Sequence, residues 1–274
     1  MKARVAVEKR IEKIVYARPL FDKTAFNAVT IRGKAYIVYD IVDNDIIASK
    51  NATTTLPLAS ITKVMTALTA VSHHNHNDKI IIRPQSVDGA LDLGLRLNQS
   101  WNLSELLKYT LVFSSNDGAQ SVADSFGGRG AFVGQMNADA KDLGLTLRFT
   151  NPAGLDVGSS IGGEGTALDV AKMLAVARKK LPDILDATTH MRISVNSGTG
   201  KITGVPNTNQ YIGRLSGAEM SKTGFTDSAG GNLAVVVDVT LGHPVAIVVL
   251  GSTREERFSD VTFLYKKLLE SKAK

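Results

Sequence analysis

Apolar residues fall into two kinds of run along this chain. Near both ends they form short continuous stretches rich in valine and isoleucine. AYIVYDI (residues 35–41) and DIIASK (45–50) flank a turn around Asp43 and Asn44, while LAVVVDVTL (233–241) and VAIVVLG (245–251) flank a turn at Gly242, His243 and Pro244. Runs of that length and β-branched content, bounded by turn residues, predict strands joined as hairpins. Between them the apolar positions recur with helical spacing, in SITKVMTALTAV (60–71), LSELLKYTLVF (103–113), GAQSVADSF (118–126), AFVGQMNADAKDLG (131–144) and TALDVAKMLAVARKKL (166–181). Thr166 and Asp169 predict a capped start for the last of these helices. The pattern gives an α+β fold: one antiparallel sheet drawn from N- and C-terminal strands, flanked by helices, with a mostly helical middle subdomain over about residues 57–205. Gly-rich stretches such as GSSIGGEG (158–165) read as loops.

Composition narrows the class. A chain of 274 residues with 43% hydrophobic content can bury one substantial core. It has no cysteine, which excludes disulfides, a thiol nucleophile and cysteine-ligated metal. No run approaches the roughly 18 apolar residues of a membrane span. The net charge of +6 is concentrated at the start, where residues 1–23 hold seven Lys or Arg against three Asp or Glu. The rest is close to balanced, a poor electrostatic footprint for nucleic acid. Residues 1–33 read as a basic leader or stalk, suited to touching the body or an anionic polymer or lipid surface. The triplet His73, His74 and His76 sits among Asn75, Asn77 and Asp78 and reads as an exposed loop, without a matching ligand set for a metal.

Three short motifs carry candidate chemistry. In SITK, Ser60 and Lys63 lie three residues apart at a predicted helix start and so share a face. Serine is a poor nucleophile at neutral pH, and a lysine amine with a lowered pKa can serve as its base. Alone, the tetrad also fits an ordinary helix start with a solvated lysine. SSN at Ser114–Asn116 interrupts two helical stretches, where it suits either a helix cap or a site in which the Ser114 hydroxyl relays a proton and the Asn116 amide holds substrate backbone. KTG at Lys222–Gly224 precedes a β-rich run, at a strand end. Lys222 there would raise the local positive potential, favouring a neutral Lys63 and attracting an anionic substrate.

Taken in order, the three motifs resemble those of penicillin-binding proteins, specifically the low-molecular-mass D-alanyl-D-alanine carboxypeptidases. The resemblance runs over about residues 34–270 and includes KAYIVYDIVDNDIIASKNATTTLPLASITKVMTAL, SSNDGA, NPAGLD (151–156), SKTGFTDSAGGNLAV and VVLGSTREERFSDVTFLYKKLL. It implies a β-lactamase/DD-peptidase-like fold and a catalytic domain at 34–270, without the C-terminal β domain that many members carry. It also implies a serine carboxypeptidase that removes the terminal D-alanine of peptidoglycan stem peptides through an acyl-enzyme on Ser60. The catalytic set would be Ser60, Lys63, Ser114, Asn116 and Lys222. Backbone N–H groups of Ser60 and Phe225 would hold the oxyanion, with Thr223, Gly224 and Arg254 in the substrate-binding set and Arg254 on the terminal carboxylate. β-Lactams would be covalent inhibitors, and no metal, organic cofactor or nucleic acid is called for. The same motifs also suit a DD-endopeptidase, a β-lactamase or a silent wall-peptide-binding protein. The β-lactamase reading is weakened because Glu164 lacks the Asn expected four residues on, where Leu168 stands. The substrate implies an extracytoplasmic location, and the lack of an export signal at Met1 suggests a trimmed leader.

Overall fold

The computed structural model describes residues 19–87 and 91–272. Most of the basic leader expected at 1–33 lies outside the described residues. A five-stranded antiparallel sheet in the order β10-β11-β12-β1-β2 organises the rest. Its strands are β1 (Ala35–Asp40), β2 (Asp45–Lys50), β10 (Ala218–Thr226), β11 (Gly230–Asp238) and β12 (Pro244–Ser252). The terminal hairpins meet where β1 pairs with β12, with Ala35 opposite Leu250 and Asp40 opposite Val245.

The unbroken apolar runs of β1, β11 and β12 follow from burial of both sheet faces. Ile37, Tyr39, Ala234, Val236, Ala246 and Val248 face the helical layer. Tyr36, Val38, Leu233, Val235, Ile247 and Val249 face the other way, under a C-terminal helix that contributes Phe258, Val261, Leu264 and Leu268. Each such side chain contributes roughly 1.5–3 kcal/mol on burial. β2 forms one edge, with its ends exposed and charged at Asp45 and Lys50, which discourages further strand addition. β10 forms the other edge.

Between β2 and β10 the described residues hold six helices: α1 (Thr62–His73), α2 (Leu103–Val112), α3 (Asn116–Ser125), α4 (Arg129–Asp142), α5 (Ala167–Lys180) and α6 (Pro182–Asp186). The C-terminal helix α7 spans Glu256–Glu270. α1 is buried nearly all round, from Thr62 to Ala70, as expected of a helix enclosed by others. α5 starts as its sequence predicts, with Thr166 Oγ1 accepting from Asp169 N at 3.0 Å. Two small sheets complete this layer. One joins β3 (Leu56–Pro57), β7 (Gly163–Gly165) and β6 (Arg148–Phe149). The other joins β4 (Lys79–Ile81), β5 (Ser100–Asn102), β8 (Arg192–Ser197) and β9 (Gly200–Pro206). No helix among the described residues is long and apolar enough to cross a membrane.

Candidate active site

The three motifs converge where the helical layer meets the β10 edge. Ser60 does not begin the α-helix, as its spacing suggests, but sits in a 3₁₀ turn over Ala59–Ile61 that feeds α1 at Thr62. The turn enters through Ala59, whose φ of 48° is unusual for a residue with a side chain. Close backbone packing surrounds this corner. A Cβ on Gly154 would lie 2.0 Å from the Ala59 carbonyl oxygen, and one on Gly224 would lie 2.7 Å from the Leu58 carbonyl oxygen and 3.3 Å from Ser60 N. Both glycines are therefore required for the β10 edge and the NPAGLD loop to approach the Ser60 turn. Asn151 organises that loop, its Oδ1 accepting from the backbone N–H groups of Ala153, Gly154 and Leu155.

Lys63 is fully buried and makes three contacts. Its Nζ lies 2.8 Å from Ser60 Oγ, 2.8 Å from Asn116 Oδ1 and 2.7 Å from the Ala153 carbonyl oxygen. Burial pulls its pKa down to about 7, against the opposing pull of the Asp92 carboxylate. Lys222 is likewise buried, and donates from Nζ to Ser114 Oγ at 2.8 Å and to the Thr223 carbonyl at 2.9 Å. Burial first, then the positive fields of Lys63 and Arg257, holds Lys222 well below the ordinary lysine range. Two lysines in one dry cleft cannot both hold a proton cheaply.

The serine and asparagine of the second motif arrive on a strained turn. Ser114 has φ 64°. Ser115 caps α3, its Oγ accepting from Gly118 N at 2.8 Å, so SSN is at once a helix cap and a contributor to the cleft. On β10, Thr223 donates from Oγ1 to Thr208 Oγ1 at 2.7 Å. Phe225 is 37% exposed, and Arg254 lies over its ring, 5.0 Å from the centroid. Arg254 is thus at the solvent rim. A second arginine lies deeper: Arg257 is buried, donates from Nη1 to the Gly224 carbonyl at 2.6 Å, and keeps an Nε without an acceptor. Burial, with the neighbouring Arg254 charge, brings its pKa down to about 10.

Sequence reasoning gave no place to Asp92 or Thr208. Neither belongs to a motif, and each reaches the cleft through tertiary contacts alone. Of the three histidines, His73 closes α1 rather than lying in a loop, and it and His74 have other partners. His73 Nε2 lies 2.9 Å from Asp139 Oδ1 and His74 stacks on Phe126. Among the described residues, the group with metal-ligand spacing is Asp40, Asp43 and His243. There His243 and Asp40 already bond each other at 2.7 Å.

Comparison with known proteins agrees with this architecture. Residues 22–254 match the family described as D-alanyl-D-alanine carboxypeptidase. The chain is 34% identical over 234 residues to a D-alanyl-D-alanine endopeptidase of Escherichia coli, covering 83% of this chain and 73% of that one. It is 30% identical over 240 residues to a D-alanyl-D-alanine endopeptidase of Pseudomonas aeruginosa, covering 85% and 76%. Among solved structures, it superposes on penicillin-binding protein D2 from Listeria monocytogenes in its ampicillin-bound form. The TM-score is 0.76 and the identity 27%, over 87% of this chain and 98% of that one.

Proposed function

The chain belongs to the D-alanyl-D-alanine carboxypeptidase family and is a serine peptidase, and we propose that Ser60 is its nucleophile and neutral Lys63 its base. The surroundings of Lys63 Nζ carry this reading. Two of its three neighbours, Asn116 Oδ1 and the Ala153 carbonyl, only accept hydrogen bonds. A neutral amine has two N–H bonds and one lone pair. With both hydrogens engaged by those acceptors, the lone pair faces Ser60 Oγ, the one neighbour with a proton to give.

In the proposed reaction, Ser60 Oγ attacks the carbonyl carbon of the penultimate D-alanine of a stem peptide as its proton passes to Lys63. Backbone N–H groups of Ser60 and Phe225 receive the oxyanion. The close approach of Gly224 to the Ser60 turn supports this pairing of donors. Collapse breaks the C–N bond, and the leaving amine takes its proton through Ser114, held by Lys222. Asn116 keeps its Nδ2 for the substrate backbone. Thr223 and the two arginines draw the leaving carboxylate, Arg254 from the rim and Arg257 from beneath Gly224. Water then attacks the ester, passing a proton to Lys63, and Ser60 regains its own. A β-lactam follows the first half of this course, but its leaving group remains tethered and obstructs the water. Such a substrate lies outside the cytoplasmic membrane, so the site of action is extracytoplasmic.

A second reading, cleavage of cross-links between stem peptides, is favoured by the endopeptidase names of the two relatives above. Release of free D-alanine from a linear pentapeptide supports the carboxypeptidase reading, whereas conversion of cross-linked dimers to monomers supports the endopeptidase one. Incubation with a penicillin, intact mass and peptide mapping test the common chemistry. One adduct on Ser60, lost in Ser60→Ala, is expected; a folded sample that neither forms an adduct nor consumes penicillin would overturn it.

A further inference from the structure

Asp92 lies outside every motif, yet it holds the second motif from both sides. Its Oδ2 accepts from Ser115 Oγ at 2.6 Å and from Asp117 N at 3.1 Å. Its own backbone N–H donates to Asp117 Oδ2 at 2.8 Å, closing a reciprocal clasp between the loop before β5 and the first turn of α3. Asn116, which touches Lys63, is the residue between the two that Asp92 grips. Ser114, with its left-handed backbone, immediately precedes them. A turn in that conformation persists only when its surroundings over-determine it, and Asp92 supplies two of the constraints.

We propose that Asp92 is a positioning residue that clamps the Ser114–Asn116 turn and sets a negative charge within electrostatic reach of the Lys63 amine. The proposal rests on the reading of Ser60 and Lys63 as nucleophile and base. Its charge works against deprotonation of Lys63, while burial, the larger effect, works for it. Among the described residues, the Asp117 carboxylate and Tyr109 also face Asp92. The Tyr109 hydroxyl donates to the Leu93 carbonyl and is kept neutral by burial and by both carboxylates. Asp92 thus fixes the geometry of the relay while keeping a proton available on Lys63 for return to the substrate.

The test is the rate of penicillin acylation against pH for the intact chain and for Asp92→Asn and Ser115→Ala. Asparagine can still accept from Ser115 but carries no charge. Its acylation midpoint is expected to move to lower pH, with the plateau rate falling about tenfold or more as the turn loosens. Ser115→Ala keeps the charge and removes one clamp, so its plateau should fall with the midpoint unmoved. Asp92→Asn that folds with an unmoved midpoint would reduce Asp92 to scaffolding and overturn the proposal. If Asp92→Asn does not fold, Ser115→Ala decides, and wild-type acylation there would overturn it. Failure of the underlying reading looks different: the unsubstituted chain would then acylate without any dependence on Lys63, as Lys63→Ala in the same series would reveal.

Discussion

At the scale of single residues, the cleft is a problem of where protons can reside. An ordinary lysine, with a pKa near 10.4, would be neutral in about one molecule in 2,500 at pH 7. Burial brings Lys63 to about 7, so about half of the molecules hold the base form at neutral pH. In the proposed mechanism the active form of Lys63 is deprotonated, so activity should be lost as pH falls through that value. Acylation by penicillin should rise close to tenfold per unit below pH 7 and level off above it. Stopped-flow or quench measurement from pH 5 to 9 checks this, and a level profile over that range would remove Lys63 as the base. The arginines show the same dependence on environment. Sequence similarity pointed to Arg254, which the fold leaves at the rim on Phe225. Arg257, one helical turn on, is the one bonded to the KTG backbone.

At the scale of elements, the site depends on how closely β10 can approach the turn before α1. Gly224 permits the approach, because a side chain there would meet backbone atoms of Leu58 and Ser60 that have no rotamer to change. Gly224→Ala should therefore push β10 outward, widening the gap between the N–H groups of Ser60 and Phe225. An acylation rate reduced about 100-fold is expected, with a smaller loss in urea stability, since β10 retains its whole pairing with β11. Acylation at the wild-type rate would show that β10 does not supply an oxyanion donor. The same contrast explains what the sequence made legible. β1, β11 and β12 stood out because both of their faces are buried, and α5 because its cap is local. β8 and β9 did not, since their residues are mostly exposed or half-buried and alternate weakly. Ser60, Lys63, Ser114 and Lys222 were legible as motif members. The 3₁₀ turn at Ser60, the Ala153 carbonyl on Lys63 and the Asp92 clasp were not, because each depends on contacts between segments far apart in sequence.

At the scale of the whole molecule, the cleft lies on the seam between two layers, so its precision depends on what ties the layers together. Asn232 is one such tie. It is fully buried in β11; its Nδ2 donates to the Pro57 carbonyl at 2.9 Å and its Oδ1 accepts from Gly251 N at 2.8 Å. One side chain thus links two strands of the large sheet to the segment that leads into the Ser60 turn. Asn232→Leu removes both bonds and leaves a half-buried carbonyl and N–H without that partner, each at a cost of up to about 1–3 kcal/mol. For a chain of this size that corresponds to a fall in Tm of roughly 2–4 °C per kcal/mol. A tie that serves only stability would lower Tm and leave the folded fraction acylating normally. A tie that also seats the nucleophile would slow acylation per folded molecule, because Pro57 lies three residues before Ser60 and transmits any shift of the sheet to it. We expect the second result, with Tm followed by calorimetry and acylation measured well below the transition. A lowered Tm with an unchanged acylation rate would mean that the Ser60 turn is seated by the helical layer and the Gly224 contact without help from Asn232.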